Sequence, residues 1–527
     1  MHPPRRRTTV LLAVVGGLLT DASFPGTAWW PLAFVGVALL LLALDRDSAR
    51  WNLVVGAGWG LAFFLPQLSW IVGAVGSVPW VALCVAEAGF VGLFGAAWTW
   101  ARRGRVIRTA DRWQVPAVAV VWTAMEEARS VMPFGGFPWG RLAFSQADSP
   151  IGRLAWAGGA PLVSVAVVLV AALLAVAVRR VRRLDIGLAS GAVLLAGAVL
   201  VMGLAVPLDS AAQDGRLKVA AVQGDVPDRG LDSLDQAREV VRNHEAGSIA
   251  LLGTVAPGEL DLLLWPENSA DFDPRTDPQT QAIVEKVTGA LDVPLLLGTQ
   301  SYPDTGGRYN LGMLWEHGVG PVAIYAKQHP VPFAEYIPMR EVARRFSSAV
   351  DRVRTDMLPG HGVGLIPVDV PRLGRTVGIA DVICFEVAYD DIVRSAVTAG
   401  GELLVVQTNN ATFGHTDEST QQLAMSRLRA MELGRATVQI STVGVSAIIA
   451  PNGAMTDRTG LFTAAHMVAA LPLRTSLTPA ARFGDEISWA LRGLGVAIVV
   501  VGMAGAWRRR RDPAEDRRPA TRRQAAR

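Results

Sequence analysis

The chain has 527 residues, of which 51% are hydrophobic and only 18% charged, too apolar for an ordinary soluble protein and too long for one domain. Basic and acidic residues nearly balance, 50 Lys+Arg against 46 Asp+Glu. The sequence pI near 9.4 therefore does not call for a nucleic-acid partner, and two cysteines, Cys84 and Cys384, exclude a disulfide framework.

The apolar excess is concentrated in residues 8–207 and 487–507, while 208–486 reads as globular. Bilayer-spanning helices need about 20 apolar residues, and about eight candidates occur. They are 8–20, 29–44, 53–72, 78–98, 115–131, 159–178, 186–206 and 487–507. The first two are short, and the fifth carries Glu126, Glu127 and Arg129 near its end. Arginine placement gives an independent reading, since cytoplasmic loops hold the Lys/Arg excess. Arg5, Arg6 and Arg7 precede the first span. Arg46 and Arg50 follow the second, Arg102, Arg103, Arg105, Arg108 and Arg112 the fourth, and Arg179, Arg180, Arg182 and Arg183 the sixth. Loops 21–28 and 73–77 have neither Lys nor Arg.

This pattern predicts a polytopic α-helical membrane domain over 1–207 with about seven spans. A catalytic α/β domain follows over 208–486, outside the cytoplasm, then a last span over 487–507 and a basic cytoplasmic tail over 508–527. Both termini face the cytoplasm. A cleaved signal peptide over 1–20 fits less well, because no small-x-small site follows and another apolar span begins within about ten residues.

In the outer domain, strands are predicted over 217–226, 261–267, 294–302, 309–316, 321–327, 376–385, 402–408, 437–450 and 466–471, and helices over 233–246, 278–291 and 418–433. Such alternation implies sheets covered by helices. Three of the apolar runs end in reactive side chains: Trp265-Pro-Glu267, Tyr325-Ala-Lys327 and Val382-Ile-Cys384. Where buried strands stop together, their ends share a pocket. A thiol attacking a carbonyl at neutral pH needs a base or a cationic field beside it, and Glu267 and Lys327 supply both. The chain has only three lysines, Lys218, Lys286 and Lys327, so a lysine kept at this strand end among so many arginines points to a need for a compact ammonium. The proline-rich segment 329–339, which carries Glu335, is expected to project over the site as an apolar lid. Arg427, Arg429 and Glu432 are expected to form a buried ion-pair network on one helix face. The histidines, His2, His244, His317, His329, His361, His415 and His466, show no metal-ligand spacing, so no metal or cofactor is expected.

Together these segments resemble the nitrilase, or carbon–nitrogen hydrolase, superfamily. Within it, Trp265-Pro-Glu-Asn-Ser269, Lys327-Gln-His-Pro-Val-Pro-Phe-Ala-Glu-Tyr-Ile-Pro338, Arg427-Leu-Arg-Ala-Met-Glu-Leu-Gly-Arg435 and Phe134-Gly-Gly-Phe-Pro-Trp139 are similar to the membrane branch, the apolipoprotein N-acyltransferase family. The resemblance implies a four-layer α-β-β-α sandwich and a Glu267, Lys327, Cys384 triad. It departs from the family pattern at Phe385, where tyrosine is frequent, and at Thr412, where tryptophan is common.

The resemblance further implies a two-step transfer in a bacterial cell membrane. Cys384 would take an acyl chain from a membrane phospholipid and pass it to the N-terminal amine of a diacylglyceryl-cysteine apolipoprotein. Glu267 would be the general base and acid. Lys327, with the Phe385 N–H, would face the oxyanion. Glu335 and Glu386 are candidates for orienting Lys327 and the amine, with a structural carboxylate as the alternative for either, and Asn310 for shaping the pocket. Two other readings stand beside this one: a membrane-tethered amidohydrolase in which water takes the acyl group, and an inactive lipoprotein-binding homologue. The intact triad argues against the second.

Overall fold

The computed structural model describes residues 5–109, 111–226 and 237–511. His2, Pro227, residues 233–236 of an expected helix and tail residues 512–527 lie outside the described residues.

Every segment read as a span contains a helix: Arg6–Asp21, Leu32–Ala43, Ala49–Gln67, Ser77–Ala101, Gln114–Arg129, Ala155–Val181, Ile186–Met202 and Pro479–Arg511. Four stretches among the described residues are long and apolar enough to cross a membrane, Ser77–Ala101, Pro150–Val181, Ile186–Ala205 and Pro479–Arg509. Three of the other helices are shorter, at 16, 12 and 16 residues, and Ala49–Gln67 opens with the polar Arg50 and Asn52. Glycine packs Ala49–Gln67 against Ser77–Ala101. A Cβ on Gly56 would stand 2.4 Å from the Val91 carbonyl oxygen, and one on Gly95 2.3 Å from that of Asn52, so the backbones approach as only small residues allow.

The α/β part has twelve strands among its described residues, in chain order: β1 Arg216–Gln223, β2 Leu262–Leu264, β3 Leu295–Ser301, β4 Tyr309–Glu316, β5 Gly320–Ala326, β6 Leu365–Val370, β7 Arg375–Ile383, β8 Leu403–Thr408, β9 Thr437–Ser441, β10 Ala447–Ile449, β11 Met455–Arg458 and β12 Ala465–Pro472. They form two six-stranded sheets, ordered β12-β1-β2-β3-β4-β5 and β11-β10-β9-β8-β7-β6. The strand period of two sorts the side chains. Leu217, Val219 and Ala221 of β1 face the second sheet, packing with Ile379, Val405 and Val438. Ala220 and Val222 face outward, under Val241, Val284 and Val287 of the helices Ala237–Ala250 and Pro278–Leu291. On the far side, Ala380, Val382, Leu404 and Val406 join Leu428 and Met431 of Glu418–Leu433 in one core with the helices of the N-terminal half. The result is the expected α-β-β-α layering, with one outer layer fused to the membrane-type helices.

Several predicted elements differ in detail. The expected strand over 437–450 is two strands, because residues 442–446 turn around Gly444, whose N–H donates to Ser441 Oγ at 2.8 Å. The strands β6 and β11 and the helix Asp390–Thr398 were not predicted. β11 is exposed along its whole length, so it carries no burial pattern to read.

The seam between the two halves is ionic. Arg141 bridges Glu127 at 2.5 Å and Asp390 at 2.8 Å, while Arg429 bridges the same Asp390 at 2.6 Å and Glu432 at 2.5 Å. Arg429 and Glu432 thus form the expected buried network, but Arg427 does not join it. Two positions from Arg429 it points to another face of the helix, and it bonds Asp148 and the Gly453 carbonyl.

Candidate active site

Glu267 follows β2 on the turn Trp265-Pro266-Glu267, and Asn268 after it is left-handed at φ +53°. Gly298 of β3 passes so close that a Cβ there would lie 2.6 Å from Glu267 Cα. A bare backbone at Gly298 is what lets the turn settle on the sheet. Lys327 follows β5, and Asn310 at the start of β4 holds both groups at once. Its carbonyl accepts the Lys327 N–H at 2.9 Å, and its Nδ2 donates to Glu267 Oε1 at 2.6 Å. The second Glu267 oxygen accepts the Asn409 N–H at 2.8 Å.

Cys384 follows β7 at φ +56°, a left-handed conformation that costs a non-glycine residue of order 1–3 kcal/mol. The turn presents Sγ into the gap between the sheets instead of burying it in the next layer. Cys384 and Glu267 lie close enough to shift each other's ionisation, and Gln422 Nε2 lies 3.8 Å from Sγ. Lys327 Nζ stands 3.6 Å from Glu267 Oε1 and 2.7 Å from Glu335 Oε1.

Burial dominates the electrostatics. It raises the Glu267 carboxyl above 4.5, although Lys327 opposes the shift. Burial and then the Glu267 charge push the Cys384 thiol up, with Lys327 again opposing. Cys384 is therefore held as a thiol. Burial pulls Lys327 down, but Glu335 and Glu267 outweigh it and hold the amine charged.

The supporting candidates separate into two kinds. Glu335 touches Lys327 directly, and its other oxygen accepts the Val331 N–H at 2.7 Å, closing the lid segment onto the site. Glu386 does not reach the pocket as an amine-orienting group. It is wholly buried and accepts from Tyr325 Oη and from the N–H groups of Gln328, His329 and Ile383 at 2.6–3.2 Å. Its four donors come from both sides of the inter-sheet gap, so it fixes the Lys327 turn against the Cys384 turn. Phe385 faces the N-terminal half. Its ring stacks on Trp139 at 5.2 Å and lies 5.4 Å from Phe137, while Trp139 Nε1 donates to Gln421 at 2.7 Å.

Gln422, Asn409, Asn410 and Glu418 were not singled out from sequence. The available signal was Asn409-Asn410 at the end of a buried strand, where unpaired amides have few other uses. Among the described residues, no group of three or more His, Cys, Asp or Glu is placed to hold a metal ion.

Residues 16–173 match the apolipoprotein N-acyltransferase N-terminal domain, and residues 218–477 the carbon-nitrogen hydrolase domain. An apolipoprotein N-acyltransferase from Mycolicibacterium smegmatis is 37% identical over 93% of this chain and 84% of its own. The chain belongs to the apolipoprotein N-acyltransferase family. A second such enzyme, from Azotobacter vinelandii, is 31% identical over 93% of each chain. Among solved structures, the Nesterenkonia AN1 amidase from the nitrilase superfamily is similar at 16% identity and a TM-score of 0.38, over 52% of this chain and 96% of that one. As a member of the N-acyltransferase family, the chain is a transferase built on the carbon–nitrogen hydrolase domain.

Proposed function

We propose that the protein moves a fatty acyl chain from a membrane phospholipid, through a thioester on Cys384, to the N-terminal amine of diacylglyceryl-cysteine on apolipoproteins. The observation that carries this reading is the meeting of Glu267, Lys327 and Cys384 at three strand ends, with Lys327 Nζ 3.6 Å from Glu267 Oε1 and Cys384 near enough to Glu267 for each to shift the other's ionisation.

In the first step Sγ attacks the ester carbonyl while Glu267 takes the thiol proton. The tetrahedral oxyanion is met by the Lys327 ammonium and the Phe385 N–H. When the C–O bond breaks, Glu267 returns its proton to the lysophospholipid alkoxide. In the second step the neutral acceptor amine attacks the thioester. Its surplus proton passes to Glu267 and then to the departing Cys384 thiolate, restoring the starting state. Asn310 holds Glu267 in place, Glu335 holds Lys327, and Glu386 sets the distance between the two turns. A preorganised cation at an oxyanion contributes about 3–4 kcal/mol to such a step.

Both substrates are bilayer lipids, and the chain's layout suits them. The arginine pattern supports a multi-pass protein of the bacterial cell membrane with about eight spans. It supports residues 1–207, 487–507 and 508–527 as membrane domain, last span and cytoplasmic tail, with 208–486 on the outer side. Phe333, Val342 and Phe346 on and after the lid segment are exposed, an apolar face suited to a lipid surface. Acyl transfer is favoured over hydrolysis and over an inactive binder, because the chain is matched along nearly its full length by curated N-acyltransferases.

Intact-protein mass spectrometry tests the proposal. Phospholipid alone should add an acyl mass at Cys384, and a diacylglyceryl-cysteine peptide should remove it and gain the same mass. Cys384→Ala should show neither event. An adduct that decays without peptide would instead identify a hydrolase.

A further inference from the structure

One buried carboxyl near the nucleophile has no part in the steps above. Glu418, at the start of Glu418–Leu433, is 2% exposed. Asn410 Nδ2 donates to Glu418 Oε2 at 2.7 Å and to Gln422 Oε1 at 3.0 Å. The Asn410 amide cannot turn over, because its Oδ1 accepts from Ser441 Oγ at 2.6 Å. The Thr408 hydroxyl also donates to Gln422 Oε1, at 2.9 Å. With two donors on its oxygen, Gln422 presents its Nε2, a donor, to Cys384 Sγ.

We infer that Glu418 is a positioning residue for the nucleophile: through Asn410 it fixes the orientation of the Gln422 amide, so that an N–H faces the sulfur as thiolate character develops. This inference rests on the acyl-transfer reading for its purpose but not for its geometry. An amide flipped the other way would put oxygen against sulfur, where two acceptors repel. The arrangement also has an electrical side. Burial raises the Glu418 carboxyl to about 8, with Glu267 adding to the rise and Asn410 opposing it, and a charged Glu418 makes thiolate formation harder. The charged and titratable groups that face it are Glu267, Cys384 and, behind Glu267, Lys327. Asp417, the preceding residue, is directed at Gly26 instead.

The test is the rate of Cys384 alkylation by iodoacetamide in the full-length protein in detergent, located by peptide mass spectrometry across pH 6–10. No lipid is added. Gln422→Leu and Glu418→Leu should each slow alkylation about tenfold, the scale of one lost hydrogen bond to a developing charge. Glu418→Gln keeps an acceptor for Asn410 and removes the charge. It should alkylate at least as fast as the natural protein and lose the inflection that Glu418 gives the pH profile. A merely structural role would slow both Glu418 variants alike, and this result would overturn the inference. Should Glu418→Leu fail to fold, the Gln variant and the two pH profiles decide alone. Absence of an acyl-enzyme in the natural protein, with the alkylation pattern intact, would remove the transfer reading and leave the positioning role standing.

Discussion

Around Asp390, buried charges are arranged as in a closed circuit: Arg141 and Arg429 share the carboxylate, and Glu127 and Glu432 complete the two guanidinium groups. Around Lys327 the charges are equally buried but differently connected. The ammonium has a short contact to Glu335 and only a 3.6 Å approach to Glu267. Glu267 in turn is bonded by Asn310 and by the Asn409 N–H, with the Cys384 thiol near enough to shift its ionisation. The first cluster uses planar, always-charged arginines at the seam between two halves. The second uses one lysine and a cysteine, side chains whose protons or lone pairs remain available for chemistry. The difference separates charge that holds structure together from charge kept ready for a reaction.

Substitutions should pull the two clusters apart. The largest effect on turnover belongs to Lys327→Arg, which keeps the charge but replaces a compact ammonium with a broad fork. Single-turnover acylation of Cys384 should fall by about 10²–10³, the usual loss when an oxyanion donor is displaced, with the unfolding temperature nearly unchanged. An arginine variant that acylates normally would show that position, not chemistry, sets this lysine. At the seam the order reverses. Arg429→Met leaves Asp390 with Arg141 alone and Glu432 with only a 3.9 Å approach from Arg394, and should lower stability by about 3–5 kcal/mol, measured by unfolding in detergent. A variant of unchanged stability but lost acylation would assign Arg429 to the reaction and erase the distinction.

How much of this could be read from the chain follows the same division. The meeting of Glu267, Lys327 and Cys384, the triad proposed above, was legible because each member ends an apolar run, and a reactive side chain just past a buried strand has few structural uses. The helices Pro278–Leu291 and Glu418–Leu433 and the strand Tyr309–Glu316 fell within their expected bounds because apolar periodicity and flanking breakers agree there. Glu386 was left open between orienting the site and holding structure. Two positions from the nucleophile it looks catalytic, yet its role depends on four donors, three of them backbone groups, which no sequence pattern displays. Arg427 was placed in the network by proximity in sequence, when the helical turn carries it elsewhere. Gln422 and Glu418 went unseen for a related reason. Their position relative to Cys384 depends on Asn410, which lies on the loop after β8, and on how that loop meets the helix.

The smallest effect concerns acid, and it discriminates within the site. Glu267 must be unprotonated to accept the thiol proton, so acylation should fail as pH drops through its pKa. Burial raises that pKa, so the acid limb of the rate should lie above 4.5, the ordinary glutamate value. Asn310 opposes the rise by donating to the carboxylate. Asn310→Leu removes the donor, favours the neutral carboxyl, and should move the acid limb upward by about one pH unit, as expected for loss of one hydrogen bond to a charged group. At a pH above both limbs the variant should regain most of its rate, since Asn310 also holds Lys327 through a backbone carbonyl that leucine retains. A uniform loss with no shift of the limb would mean that Asn310 serves the site by shape alone. A downward shift would mean that Glu267 is not the group whose ionisation limits the reaction.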